Sequence, residues 1–249
     1  MTDLTAAFHD QVKSRLERLA GPNPAIDEAV AVIADALENN GVIQAFGTGH
    51  SEAFAMEIAG RAGGLIATNR MALRTLVLRG DRDVSALGGA EFERDPNVGE
   101  NLLALFDIHP SDIFIIASNS GVNGSILGVA LAAKARGHKV IAVTSMDHTM
   151  KVQPKHPSGK RLSEVADIVI DNLAPYGDST MALEGGIGIG AVSSITAAFI
   201  AQRITIGVAE TIRQRGKTPP VYISANIPEG DEHNRALEDL YGDRIRRDA

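Results

Sequence analysis

Asp112-Ile113-Phe114-Ile115-Ile116-Ala117-Ser118-Asn119-Ser120-Gly121-Val122-Asn123-Gly124-Ser125 reads as strand, tight polar loop and helix start. An apolar run with one charge leads into the loop, and an alanine- and leucine-rich segment at helical spacing leaves it. A helix N-terminus presents unpaired backbone N–H groups and a partial positive charge, so it attracts anions. Gly121 and Gly124 let the backbone approach a ligand. Ser118, Ser120 and Ser125 add hydroxyls, and Asn119 and Asn123 add amides. The loop carries no lysine or arginine, so recognition there rests on neutral donors. The same residue types are common in ordinary loops and helix caps, and spacing alone leaves both readings open.

A second unit of this design lies upstream. Val42-Ile43-Gln44-Ala45-Phe46 is a short strand, Gly47-Thr48-Gly49-His50-Ser51 a polar loop, and Glu52 to Gly60 a helix. Two such units place both loops at the carboxyl ends of parallel strands, where open α/β sheets bind ligands. A dinucleotide fold is discounted, because Glu52 occupies the place of the third glycine.

GTGHS at 47–51, SNSG at 118–121 and then Val143-Thr144-Ser145 resemble the sugar isomerase (SIS) domain over roughly Asn40 to Gln202. The resemblance implies a three-layer αβα sandwich with a five-stranded parallel sheet that binds a phosphorylated sugar. NIPEGDEHN at 226–234 and KHPSGKRL at 155–162 are similar to one subgroup of SIS proteins, described in general terms as phosphosugar isomerases. In phosphoheptose isomerases the helix after the first loop carries a histidine and a glutamate for metal binding or catalysis. Counted from Ser51, those places hold Glu57 and Arg61 here, which argues against the heptose reaction and its metal site.

Composition narrows the alternatives. The chain has 249 residues, 44% hydrophobic, which suits one domain with additions. Aromatic residues make up 4%, with no tryptophan, and the net charge is −7. Stacking platforms and a phosphate-backbone footprint are therefore both missing, and no nucleic-acid partner is expected. The absence of cysteine excludes disulfides and thiolate chemistry. No apolar signal-peptide core and no uninterrupted apolar run of membrane-spanning length are found, so a cytoplasmic protein with no membrane partner is expected.

Around the two loops the chain reads as a single domain over 1–249. An N-terminal helical hairpin (1–39) carries Leu4, Phe8, Val12, Leu16 and Leu19 at helical steps, then a second helix from Ala25 to Glu38. Leu73 to Leu78 is expected as the second strand. Arg79 to Asn97 has no period and reads as a long loop near the site. Lys139 to Val143 and Ile168 to Ile170 complete the sheet. The segment 146–160 is expected as loop. His148 and His156 lie in it at a spacing that matches no standard metal motif. The glycine cluster Gly185 to Gly190 suggests close backbone packing, and a small-residue helix spans Ala191 to Glu210. A C-terminal helical extension covers 207–249.

An aldose–ketose isomerase moves a proton between adjacent carbons through an enediol, using a carboxylate or imidazole and no cofactor. Glu57, His50, Glu232 and His233 are the candidate acids and bases. Glu57 and Arg61 also form an ordinary helix-surface pair worth about 0.3–0.5 kcal/mol. Asp231-Glu232-His233 equally reads as a helix cap with exposed charges. The candidate ligand residues are Gly47, Thr48, Gly49, Ser51, Ser118, Asn119, Ser120, Gly121, Asn123, Ser125, Thr144 and Ser145; no metal is expected. SIS enzymes commonly share sites between subunits, so the resemblance implies a homo-oligomer in which His233, oriented by Glu232, serves a neighbour. It leaves open a lyase that cleaves the lactyl ether of phosphorylated N-acetylmuramic acid, and a phosphosugar-sensing module.

Overall fold

The computed structural model describes residues 4–246; expectations that fall on 1–3 and 247–249 lie outside them. Five parallel strands form one sheet in the order β2-β1-β3-β4-β5: β1 Ile43–Gly47, β2 Thr68–Met71, β3 Ile113–Ala117, β4 Lys139–Thr144 and β5 Ile168–Asp171. The helical elements are α1 Leu4–Ala20, α2 Pro24–Glu38, α3 Glu52–Ile58, α4 Thr75–Leu78, α5 Glu91–Arg94 and α6 Val98–Leu103. They continue with α7 Gly124–Ala135, α8 Met146–Thr149, α9 Leu162–Val165, α10 Ser193–Gln214 and α11 Gly230–Glu238.

Side chains alternate across each strand with period two. Ile113, Ile115 and Ala117 of β3 join one core with α1, α2, α3 and α10. Phe114 and Ile116 join the other, with α6, α7 and Leu162 of α9. A parallel sheet covered on both faces needs such continuous apolar strands. The three-layer architecture implied by the resemblance is therefore present.

The second strand lies upstream of the expected Leu73–Leu78. Thr68-Asn69-Arg70-Met71 forms the edge strand, and Thr75–Leu78 is a single helical turn. The polar residues hid the strand: Asn69 is fully buried and its amide donates to Gln44 Oε1 at 3.2 Å. The stretch 79–97 is mostly loop, with a 3-10 turn at Val84–Leu87 and α5. The expected loop 146–160 opens with α8, capped by Ser145 Oγ, which accepts from His148 N at 3.0 Å. The glycine cluster forms an antiparallel hairpin, β6 Ser179–Ala182 with β7 Gly188–Ala191. At its base, Asp178 accepts hydrogen bonds from Val192 N and Ser193 N, joining the hairpin to α10.

Among the described residues, α10 alone has the length and apolar composition to cross a membrane, although the sequence reading found no uninterrupted run of that length. Its stripe of Ala197, Ile200, Ala201, Ile204 and Val208 belongs to the core shared with α2 and α3.

Candidate functional site

The sheet order creates one crevice. From β1 the chain moves outward to β2, then returns to the other side of β1 to form β3. The loops after β1 and β3 consequently diverge, one to α3 on one face and the other to α7 on the opposite face. A reversal of this kind opens a ligand site at the carboxyl ends of the strands. His50, Ser51 and Phe54 line it from the first loop, and Ala117, Ser118 and Asn119 from the second. The N-terminus of α10 closes the crevice with Ser193, Ser194 and Ala197.

In the second loop, Ser118 is buried and its Oγ accepts from Gly121 N at 3.1 Å, leaving its proton free to donate. Gly121 makes this turn at φ 63°. Among the described residues, no hydrogen bond occupies the Ser120 hydroxyl or the backbone N–H groups of Ser120, Val122 and Asn123. Asn119 Oδ1 accepts from Asn172 Nδ2 at 3.1 Å, which leaves the Asn119 amide free to donate. Asn172 is buried and also accepts from Ala174 N at 3.0 Å, so this bracing is rigid.

Other candidate residues are engaged within the protein. Thr144 Oγ1 donates to Asn119 O at 3.3 Å. Ser145 Oγ donates to Ala174 O at 2.6 Å while capping α8. The Thr144 hydroxyl and the Ser145 backbone N–H, which donates to the same Asn119 O at 3.2 Å, brace the loop. Ser125 Oγ donates to Glu93 O at 2.6 Å. In the first loop, Thr48 Oγ1 donates to Glu93 Oε1 at 2.9 Å. Asn123 Nδ2 donates to the same oxygen at 2.7 Å, and its Oδ1 faces Lys155 Nζ at 3.3 Å. Gly47 leads into the loop against Ser51 O, and Gly49 turns it at φ 56°.

Spacing in the sequence points neither to Asn172 and the start of α10 at Ser193-Ser194, which line the crevice, nor to Glu93, which joins the two loops beside it. The aperiodic stretch 79–97 was the signal for Glu93, without indicating which residue mattered. Asn172 and Ser193 carried no signal, because their contacts come from distant parts of the chain.

The candidate acids and bases do not all converge. His50 is exposed at the crevice. Glu57 does not line it. Glu57 Oε1 accepts from Gln202 Nε2 at 2.6 Å and pairs with Arg61, so the carboxylate is held between α3 and α10. Glu232 and His233 lie in the first turn of α11, not in a loop. His233 Nε2 lies 3.0 Å from Val221 O, and Val221 bridges Leu65 ahead of β2. Within one chain this is the amino end of the sheet, away from both loops. Among the described residues, no three His, Cys, Asp or Glu side chains group as a metal site.

This arrangement, two polar loops at the switch point of a five-stranded parallel sheet, is that of a SIS domain. The profile of the SIS domain matches residues 7–145, and the chain belongs to that family. Within it the chain belongs with the UPF0309 proteins: the UPF0309 protein lmo0025 of Listeria monocytogenes is 38% identical over 240 residues, covering 96% of this chain and 97% of that protein. Solved structures share the fold at low identity. A phosphoheptose isomerase from Francisella tularensis superposes with a TM-score of 0.52 at 17% identity, over 84% of this chain and 100% of its own. The c3406 protein of E. coli CFT073, solved in complex with a phosphosugar, superposes with a TM-score of 0.51 at 16% identity, over 84% of this chain and 90% of its own.

Proposed function

We propose that this protein binds a phosphorylated sugar or amino sugar in the crevice and interconverts its aldose and ketose forms through an enediol. One observation carries the reading. The free donors of Ser118 and Ser120 and the unoccupied N–H groups of Ser120, Val122 and Asn123 belong to one loop, which runs from the end of β3 into the N-terminus of α7 at the switch point. An anion fits there without a cationic side chain, since aligned N–H groups and the helix dipole supply the positive potential. Membership of the SIS family and a fold shared with a phosphoheptose isomerase and a protein solved with a phosphosugar support phosphosugar binding.

From a phosphate on the second loop, the sugar extends toward the first loop, where His50 offers an imidazole for ring opening or proton shuttling. The donors Asn119 and Ser51 suit hydroxyls of the open chain. In this reading the protein works as a homo-oligomer, with His233 contributed to a neighbouring subunit's crevice and oriented by Glu232.

The experiment is a thermal-shift screen of aldose and ketose phosphates, followed by turnover in D2O. A ligand that binds only the folded state raises the Tm. Deuterium at C1 of a ketose product, or at C2 of an aldose product, supports the enediol. Lactate released from phosphorylated N-acetylmuramic acid would replace isomerisation with ether cleavage. Binding without turnover would make the protein a sensor, and no binding by any phosphosugar would defeat the reading.

A further inference from the structure

We propose that Glu93 is the carboxylate that transfers the proton in this crevice, and that Thr48 and Asn123 serve to hold it there. The inference rests on the isomerase reading above and assigns its base. Glu93 Oε1 accepts Thr48 Oγ1 at 2.9 Å and Asn123 Nδ2 at 2.7 Å, one donor from each loop. No other carboxylate among the described residues is shared by the two loops.

The backbone behind it is equally fixed. Ser125 Oγ donates to Glu93 O at 2.6 Å. A Cβ at Gly124 would come within 1.9 Å of Arg94 O, so the segment after Glu93 rests directly on the first turn of α7. The second oxygen is different. Oε2 accepts no hydrogen bond among the described residues, and a Cβ at Gly49 would lie 3.9 Å from it. Gly49 has φ 56° and no side chain, so nothing from this residue covers that oxygen.

A carboxylate with one oxygen anchored and the other open has the geometry of a general base. Asp112, which is structural, shows the contrast: both its oxygens accept donors from the fold. Charge separates the two ligand regions further. A phosphate dianion at the Asn123 amide would meet the Glu93 carboxylate, which favours Ser118, Ser120 and the free N–H groups of Ser120 and Val122 for the anion. The sugar carbons leaving that phosphate for the first loop then pass Oε2.

The step balances within the sugar and its acid–base groups. Oε2 takes the proton from C2 of the open-chain aldose. The C–H electron pair becomes the C1=C2 bond, and the carbonyl electrons go to O1, which an acid such as His50 protonates. The Glu93 carboxyl then returns its proton to C1, while the O2 hydroxyl gives its proton back to His50. C2 becomes the carbonyl carbon of the ketose, with no external oxidant or reductant.

The test follows deuterium uptake at C2 of the aldose and C1 of the ketose by NMR for wild type, Glu93→Gln, Glu93→Asp and Glu57→Gln, using the aldose phosphate giving the largest thermal shift. Glu93→Gln keeps both acceptor positions on its amide oxygen, so its Tm without ligand and its ligand-induced shift should stay close to wild type. Its exchange rate should fall on the order of 100-fold or more. Glu93→Asp should recover part of the rate, and Glu57→Gln should exchange like wild type. Normal exchange in Glu93→Gln, or loss of exchange in Glu57→Gln alone, would overturn the assignment while leaving the isomerase reading intact. A wild-type protein that binds phosphosugars but exchanges none would overturn both.

Discussion

Arg244 donates to the carboxylate of Asp112, joining the C-terminal segment to the amino end of β3. The Asp112 side chain is fully buried and that of Arg244 nearly so. Asp112 Oδ1 also accepts from Val42 N at 2.9 Å, and Oδ2 from Gln44 Nε2 at 3.0 Å and His109 N at 3.2 Å. Arg244 O in turn accepts from Asn69 Nδ2 at 2.8 Å. A polar cluster thus ties three neighbouring strands and the tail together, at the end of the sheet opposite the crevice.

Removing one partner of a buried pair leaves a charge without compensation. Arg244→Ala should therefore cost about 3 kcal/mol of stability, moderated by the three donors Asp112 retains. Urea unfolding should show a lower midpoint with an unchanged m-value. Phosphosugar binding at the far end of the sheet should persist. A midpoint equal to wild type would mean that the pair contributes nothing.

The sequence exposed the fold where side chains alternate between two apolar cores. β1, β3, β4 and β5 read directly as strands for that reason. β2 did not, because Asn69 and Arg70 interrupt it and the partners of Asn69 lie at Gln44 and Arg244. The two loops were legible because glycine and hydroxyl residues follow strands there. Glu93 was not, since its bonds to Thr48 and Asn123 span 45 and 30 residues of chain. Nor did spacing reveal that Thr144 and Ser145 turn their hydroxyls inward, a consequence of how the β4 end packs under Asn119 and Ala174.

His148 should titrate below its ordinary value. Burial disfavours its charged form more than the carboxylates of Asp178 and Asp147 favour it, so its pKa lies under 6.5. Its Nδ1 accepts from Gly177 N at 2.9 Å, a bond that only the unprotonated nitrogen can make. A base with a lowered folded pKa adds stability that is complete above the unfolded value. That stability is lost as pH falls through the folded value. NMR should give a His148 midpoint below 6.5, with Gly177 amide protection falling in the same acidic range. A midpoint above 6.5 would reverse the sign and sink the argument.

Ser120→Ala tests the anion site without touching the fold. The Ser120 hydroxyl is half-buried and makes no hydrogen bond among the described residues, so its loss should leave the Tm unchanged. Phosphosugar binding should weaken by about 1–3 kcal/mol if the hydroxyl donates to a phosphate oxygen. Asn123→Ala should instead affect turnover more than affinity, because its amide holds Glu93. Calorimetry on both variants separates the roles, and unchanged affinity in Ser120→Ala would remove this hydroxyl from the site.

A shared site predicts activity from two inactive chains. His233 lies by Val221, away from the crevice of its own chain, so a catalytic role for it requires a second subunit. Met56 on α3 and Ile206 on α10 are exposed at 51% and 66%, apolar surface that a symmetric contact would cover. Glu93→Gln and His233→Ala should each be inactive alone. When the two are dissociated and reassembled together as dimers, each hybrid holds one site with both residues intact. Half the dimers of an equal mixture are hybrids with one good site in two, so activity should return to roughly a quarter of wild type. Light scattering must show that mixed oligomers form. Hybrids that form and stay inactive, a protein that is monomeric at working concentration, or a fully active His233→Ala would each end the case for sharing.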